Sequence, residues 1–170
     1  MSKNLVLIAG IGGASLGTEL AKCLRGISTY DVFGCDVSPL AYGLYDDAFV
    51  DTFVVARVGY VDAVLDLCTK LKIQVVIPGA EEPAVLLSAA AGRFEARGIK
   101  VAANSTAVTR LCADKIDTFA FLERAGFATP KSTVPATAGA IALKGPVIVK
   151  PATGSGGSSH VFYAPSATEA

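Results

Sequence analysis

The feature that most constrains the fold is a regular alternation of short apolar runs and helical patterns over the first hundred residues. The apolar runs have the length of strands and no polar alternation, which indicates parallel strands covered on both faces. This order predicts an α/β fold built on a Rossmann-like parallel sheet. The predicted strands are residues 5–9, 32–35, 48–55, 73–77 and 99–102, and the predicted helices are residues 15–25, 61–71 and 83–97.

The pattern changes after residue 104. We therefore predict a Rossmann-like domain over residues 1–104 and a second, smaller α+β lobe over residues 105–170. In the second lobe we expect capped helices, and a hairpin formed by two apolar strands that flank a glycine-rich loop. These elements are helices at 104–106 onward, 114–125, near 137–143 and from 165, and strands at 147–150 and 161–163.

The composition excludes several classes of protein. The chain carries 15 basic and 15 acidic side chains, which argues against non-specific nucleic-acid binding, because that needs a basic surface. No uncharged apolar run reaches the roughly 18–20 residues of a membrane span. The four cysteines share no C-x-x-C spacing and stand among apolar residues, so we expect buried free thiols. We predict a cytoplasmic protein that binds neither nucleic acid nor membrane.

A glycine loop follows the first predicted strand and precedes a helix. Gly10, Gly12 and Gly13 stand where backbone N–H groups can hold a phosphate or carboxylate. Asp36, after the second strand, stands where a dinucleotide fold has its ribose-binding acid. The alternative is that the glycines only allow the helix to approach the strand closely.

Two carboxylates follow the fourth predicted strand. Glu81 and Glu82 lie at the carboxyl edge of the sheet, where open α/β sheets bind ligands. The same residues precede a helix, whose N-terminus favours negative charge. Both substrate contact and helix stabilisation therefore explain them.

The strongest local signal is a lysine that ends an apolar strand and is followed by a Gly/Ser loop. A lysine at the end of a strand is a fixed positive charge suited to a phosphate. Glycine N–H groups and hydroxyls in such a loop add donors, although the loop lacks the G-K-[ST] of a Walker motif. A solvent-exposed hairpin is the alternative. The residues are Lys150, Thr153, Gly154, Ser155, Gly156, Gly157, Ser158 and Ser159, with His160 beside them.

Taken in order, these pieces resemble the ATP-grasp superfamily, and specifically ligases similar to the carbamoyl-phosphate synthase large subunit. The resemblance covers nearly the whole chain and rests on order and spacing. It implies a pre-ATP-grasp domain followed by the first part of an ATP-grasp domain. The matching pieces are residues 8–12, 34–39, 77–82, 114–115 and 146–159.

The resemblance also implies roles for individual residues. Lys115 matches the first lysine that such enzymes direct at the ATP phosphates, and Lys150 matches the second. Residues 153–159 match the loop that closes over the β- and γ-phosphates. In the family, ATP phosphorylates a carboxylate, and an amine or ammonia then displaces the phosphate.

Family members continue into a second lobe that carries the Mg²⁺ ligands. We therefore expect ATP with Mg²⁺ as cofactor, metal ligands outside this chain, and a small carboxylate as substrate. The chain is expected to be the N-terminal portion of a ligase, either truncated or completed by a second polypeptide.

Two other functions stay open at this point. The glycine loop with Asp36 also fits an NAD(P)-binding domain of an oxidoreductase, although no tyrosine is followed by lysine four residues later. The second open function is that of a module that binds a nucleotide without catalysing a reaction.

Overall fold

The computed structural model describes residues 3–13, 16–134, 145–154 and 160–166. The predicted helix near residues 137–143 lies outside the described residues, as do residues 167–170 of the predicted last helix.

The chain divides into two compact units, Met1–Thr109 and Arg110–Ala170. The predicted domain boundary after residue 104 stays a prediction.

A five-stranded parallel sheet forms the centre of the first unit, in the order β3-β2-β1-β4-β5. Val6 of the central strand pairs with Val32 on one side and Val75 on the other. The α/β prediction is confirmed. The strands are β1 Asn4–Ala9, β2 Tyr30–Asp36, β3 Asp51–Val54, β4 Val75–Pro78 and β5 Lys100–Val101.

Helices connect these strands, as the apolar spacing predicts. A 3₁₀ helix over Tyr42–Tyr45 lies between β2 and β3. The α-helices of the described residues are α1 Leu16–Leu24, α2 Tyr60–Leu71, α3 Glu81–Ala89, α4 Ala91–Glu95, α5 Thr106–Ala113 and α6 Lys115–Arg124.

Both faces of the sheet are covered. Leu7 and Ile8 are fully buried but belong to two different core clusters. Successive side chains of a strand point to opposite faces, so each cluster packs on its own face. The cluster around Leu7 includes Val64 of α2 and Phe94 of α4, and the cluster around Ile8 includes Ala21 of α1.

Two predicted elements differ from the structure. The single helix predicted over residues 83–97 is two helices, because Ala90 leaves the helical conformation (φ −102°, ψ 6°) between α3 and α4. The third strand is shorter than predicted, because Asp46 accepts a hydrogen bond from the N–H of Ala48 and holds a turn before β3.

The prediction of four buried thiols is wrong for two of them. Cys35 and Cys68 are buried, whereas Cys23 and Cys112 are exposed on helices. Apolar neighbours in sequence do not decide which face of a helix a cysteine occupies.

The second unit contains an antiparallel hairpin, as predicted. Its strands are β6 Val147–Val149 and β7 Phe162–Ala164, with Ile148 opposite Tyr163. Helix α6 begins after Asp114, whose carboxylate accepts from the N–H groups of Ile116 and Asp117.

Candidate functional site

The strand order defines one edge where a ligand site can form. From β1 the chain moves outward to β2 and β3, and it then crosses to β4 and β5 on the other side. The loops that follow β1 and β4 therefore diverge at a topological switch point, the usual ligand position in open α/β sheets.

Glycines allow the start of α1 to contact the loops that follow β1 and β4. The N–H of Gly17 donates to the carbonyl of Gly79 at 3.0 Å. A methyl group at Gly17 would lie 2.0 Å from the carbonyl oxygen of Gly10, and one at Gly79 would lie 2.1 Å from the same atom. Side chains at either position would therefore clash with backbone, so close approach explains these two glycines.

Asp36, the last residue of β2, holds the glycine loop through a backbone hydrogen bond. Its two carboxylate oxygens accept from the N–H groups of Ile11, at 2.8 Å, and Ser38, at 2.9 Å. Ile11 is buried, and a methyl group at Gly34 or Gly43 would come within 3 Å of it. Asp36 thus has a structural role within the chain, and this role explains its presence without a bound ribose.

A cavity of about 200 Å³ opens at this edge. Its walls come from the loops and helix starts that follow β1, β2, β3 and β4. The lining residues are Gly10, Asp36, Val37, Arg57, Tyr60, Ala80, Glu82, Pro83 and Leu86.

Charges of both signs line the cavity. Arg57 Nη1 donates to Glu82 Oε2 at 3.3 Å, and both side chains are about two-thirds exposed. With Asp36, the lining contains two carboxylates and one guanidinium. The cavity therefore favours a ligand with a positive group and can also accept a negative group at Arg57.

Tyr60, the first residue of α2, is the most buried polar side chain of the lining. Its hydroxyl has no hydrogen-bond partner within the described part of the chain. Burial, followed by the charges of Cys35, Asp36, Glu82 and Cys68, raises the pKa of Tyr60 well above its ordinary value. The hydroxyl therefore stays protonated at neutral pH.

The structure brings some of the predicted substrate residues to this cavity and not others. Gly10 and Glu82 line it, whereas Glu81 is an exposed residue in the first turn of α3. A methyl group at Gly12 would lie 3.3 Å from the carboxylate of Asp36, and the exposed Gly13 has a positive φ of 65°.

Sequence reasoning missed Arg57 and Tyr60. Both follow the third strand, so the same edge argument that selected Glu82 could have selected them. Nothing in the spacing distinguishes Tyr60 from a core aromatic residue.

In the second unit, Lys115 contacts the segment that follows the other predicted lysine. The backbone N–H of Lys115 donates to the carbonyl of Ala152 at 3.0 Å, and its Nζ donates to the same oxygen at 3.3 Å. The start of α6 is thereby tied to the chain two residues after Lys150.

Lys150 itself is exposed at the end of β6. Its Nζ lies 5.5 Å from the ring centroid of Phe119 on α6, a cation–π distance. Thr153 and Gly154 follow it and are exposed, and Gly154 has a positive φ of 67°. The remaining predicted loop residues, Ser155, Gly156, Gly157, Ser158 and Ser159, lie outside the described residues.

The described residues contain neither a membrane-spanning helix nor a cluster of metal ligands. No helix among them has the length and apolar character to cross a membrane. Across residues 3–13, 16–134, 145–154 and 160–166, no three His, Cys, Asp or Glu side chains group closely enough to hold a metal ion. Cytoplasmic localisation stays a prediction.

The first unit is thus a parallel α/β domain with a cavity at its switch point. The sequence pattern of the PylC-like N-terminal domain family matches residues 6–102, more than half of the chain. The chain belongs to this family, and the predicted relationship to the ATP-grasp superfamily is confirmed. No curated protein sequence is similar enough to the chain to count as a match.

Solved structures of three proteins illustrate the shared fold. The biotin carboxylase domain of Hydrogenobacter thermophilus 2-oxoglutarate carboxylase, in complex with MgADP, ADP and bicarbonate, is 16% identical with a TM-score of 0.67; the match covers 99% of this chain and 39% of that one. An L-amino acid ligase from Bacillus licheniformis is 16% identical with a TM-score of 0.64, covering 99% and 41%. An ADP complex of N5-carboxyaminoimidazole synthetase from Staphylococcus aureus is 18% identical with a TM-score of 0.59, covering 91% and 40%. The chain therefore spans about two fifths of the length of these proteins.

Proposed function

We propose that the chain is the N-terminal part of an ATP-dependent ligase that joins a carboxylate to an amine or ammonia through an acyl phosphate. The observation that carries the proposal is the pair of hydrogen bonds from Lys115 to the carbonyl of Ala152. They tie Lys115, the first residue of α6, to the segment that follows Lys150, so two positive charges belong to one small unit.

Two neighbouring positive charges are suited to bind the phosphates of a nucleoside triphosphate. Lys115 and Lys150 would hold phosphate oxygens and offset the negative charge that builds up during phosphoryl transfer. The nearby Thr153 and Gly154 supply a hydroxyl and a backbone N–H. The MgADP and ADP complexes among the solved structures of the same fold support this assignment.

The reaction has two balanced steps. A carboxylate oxygen of the substrate attacks the γ-phosphorus of ATP, and ADP leaves. The amine nitrogen then attacks the carbonyl carbon of the acyl phosphate, phosphate leaves with the oxygen that bridged carbon and phosphorus, and the nitrogen loses a proton.

Mg²⁺ would accompany ATP in this reaction and supply further charge neutralisation. The resemblance to ATP-grasp ligases implies that its protein ligands lie in the second lobe of the ligase.

The cavity of the first unit would bind one of the two substrates. Its opposite charges, Arg57 beside Glu82 and Asp36, suit the carboxylate and ammonium groups of an amino acid. The L-amino acid ligase among the proteins of the same fold supports this substrate class. A narrower alternative to an amino acid substrate is carbamoyl-phosphate synthase-like chemistry, with ammonia as the nitrogen donor.

Oxygen transfer tests the acyl phosphate directly. The full-length protein is incubated with ATP, Mg²⁺ and either ¹⁸O-labelled amino acids plus an amine, or ¹⁸O-labelled bicarbonate plus ammonia. We expect one ¹⁸O atom in each phosphate released, and the productive mixture distinguishes the two substrate classes. ATP cleavage that releases only unlabelled phosphate would mean that water is the acceptor, and the ligase proposal would be wrong.

A further inference from the structure

The hydroxyl of Tyr60 is an unusual group for a protein interior. Tyr60 is 8% exposed, and its hydroxyl oxygen is buried without a hydrogen-bond partner among the described residues. Buried polar groups in folded proteins nearly always have a partner, because an unsatisfied one retains the cost of its lost hydration. Because Tyr60 also lines the cavity, a ligand bound there is a candidate for the missing partner.

The charges around the hydroxyl limit the kind of partner. Asp36 and Glu82, which also line the cavity, are among the groups whose charges raise the pKa of Tyr60. Arg57 is the balancing cation, but its guanidinium is engaged with Glu82, and both side chains are largely exposed. An anionic group next to Tyr60 would therefore lie close to two carboxylates, whereas an ammonium group would be attracted by both.

We propose that Tyr60 is a specificity-determining residue whose hydroxyl oxygen accepts a hydrogen bond from the ammonium group of an amino acid bound in the cavity. The ammonium group would lie between this oxygen and the carboxylate of Glu82, and the amino acid carboxylate would lie toward Arg57. This assignment rests on the proposed substrate class. It adds the group that distinguishes an amino acid from the carboxylic acid without the amine.

Because the hydroxyl has no partner in the unliganded protein, loss of it should change thermal stability and amino acid affinity in opposite directions. In Tyr60→Phe, removal of an unsatisfied polar group should stabilise the unliganded protein, raising Tm by about 2–4 °C. The same substitution should weaken amino acid binding about tenfold, because an ammonium group then loses a charge-assisted hydrogen bond. The matched control is Tyr42→Phe, since Tyr42 is exposed and does not line the cavity.

The experiment uses the full-length protein, with Tm from calorimetry and affinity from isothermal titration. The probes are the proteinogenic L-amino acids and, for each that binds, the acid that lacks the α-amino group. We expect Tyr60→Phe to lower amino acid affinity and to change the affinity of the des-amino acid less than twofold. Tyr42→Phe should change neither Tm nor affinity.

Three outcomes would overturn the proposal. A lower or unchanged Tm of Tyr60→Phe would mean that the hydroxyl already has a partner, such as an ordered water. Unchanged amino acid affinity in Tyr60→Phe, with loss of binding in Glu82→Gln, would reject the role of Tyr60 but leave the cavity as the substrate site. No binding of any amino acid to the unsubstituted protein would reject the substrate class and this inference together.

Discussion

The two units obtain their candidate sites by different means. In the first unit, fully buried side chains on both faces of the sheet fix the loops that form the cavity. In the second unit, Ala164 is the only buried residue among those described, and the two candidate lysines stand on lightly packed elements. The first site is therefore shaped by packing, whereas the second is held by a few hydrogen bonds and charges.

This difference has an energetic consequence. A fully buried apolar side chain contributes about 1.5–3 kcal/mol, so the first unit has many such contributions and the second has few. A helix of the length of α6, 10 residues, is marginal on its own in water. We expect the stability of the chain to depend mainly on the first unit.

The largest expected difference in stability between the two units comes from truncating one phenylalanine in each. Phe94 is fully buried in the core of the first unit, so Phe94→Ala should lower the free energy of unfolding by about 3–5 kcal/mol. Phe121 of the second unit is 47% exposed, and Phe121→Ala should cost about 1 kcal/mol or less. Urea denaturation measures both, and Phe94→Leu replaces Phe94→Ala if that variant does not fold. Similar losses at the two positions would contradict the difference in packing.

The glycine contact at the switch point gives the next largest effect. In Gly79→Ala, the added methyl would lie 2.1 Å from the carbonyl oxygen of Gly10, and backbone cannot move aside cheaply. We expect a loss of about 3 kcal/mol, measured by thermal or urea denaturation. The matched control is Gly92→Ala in α4, where no atom lies within 4 Å of the added methyl. Its effect should be neutral or stabilising, because alanine favours a helix; equal effects at the two positions would refute the close approach.

The hydrogen bonds that Asp36 accepts from the backbone should contribute less to the stability of the first unit. Asp36→Asn leaves one backbone N–H, of Ile11 or Ser38, facing an amide donor. We expect a loss of about 2 kcal/mol in the free energy of unfolding. Asp66→Asn, on the exposed surface of α2, is the control and should have almost no effect. Equal stability of Asp36→Asn and Asp66→Asn would mean that the hydrogen bonds of Asp36 contribute little to the free energy of unfolding.

The buried thiols give the smallest effect, and it depends on pH. Burial raises the pKa of Cys68 from 9.0 to about 12. Above pH 9 the unfolded chain releases this proton while the folded chain keeps it, so stability present below pH 9 is lost as the pH rises toward 12. Cys68→Ala should therefore reduce the fall in unfolding free energy between pH 9 and 10 by about 1 kcal/mol. Cys112→Ala, at an exposed thiol, is the control, and an equal change in both variants would contradict this account.

The contrast between the units also explains what the sequence could predict. Strand and helix periodicity located the sheet because packing on both faces imposes it, as Leu7 and Ile8 illustrate. Glu82 could be placed at the cavity because parallel strands end at one edge. The break at Ala90 could not be predicted, since it has no proline or glycine to signal it.

Side-chain contacts between distant segments were also beyond the sequence. Asp36 stood at the expected position, but its hydrogen bond to the N–H of Ile11 joins residues 25 apart in the chain. The burial of the Tyr60 hydroxyl depends on groups from several strands. The contact between Lys115 and Ala152 likewise spans 37 positions, and only the family resemblance linked the two segments.

The central claim is that the lysines of the second unit hold a nucleotide. Its most direct test is calorimetric titration of ADP with Mg²⁺ into the full-length protein and two variants. Lys150→Ala removes the exposed lysine at the end of β6, and Lys131→Ala removes another exposed lysine of the same unit as the control. We predict that Lys150→Ala weakens ADP binding at least about tenfold, as expected for a lost charge-assisted hydrogen bond, while Lys131→Ala leaves it unchanged. Equal ADP affinity in the unsubstituted protein and Lys150→Ala would contradict the account.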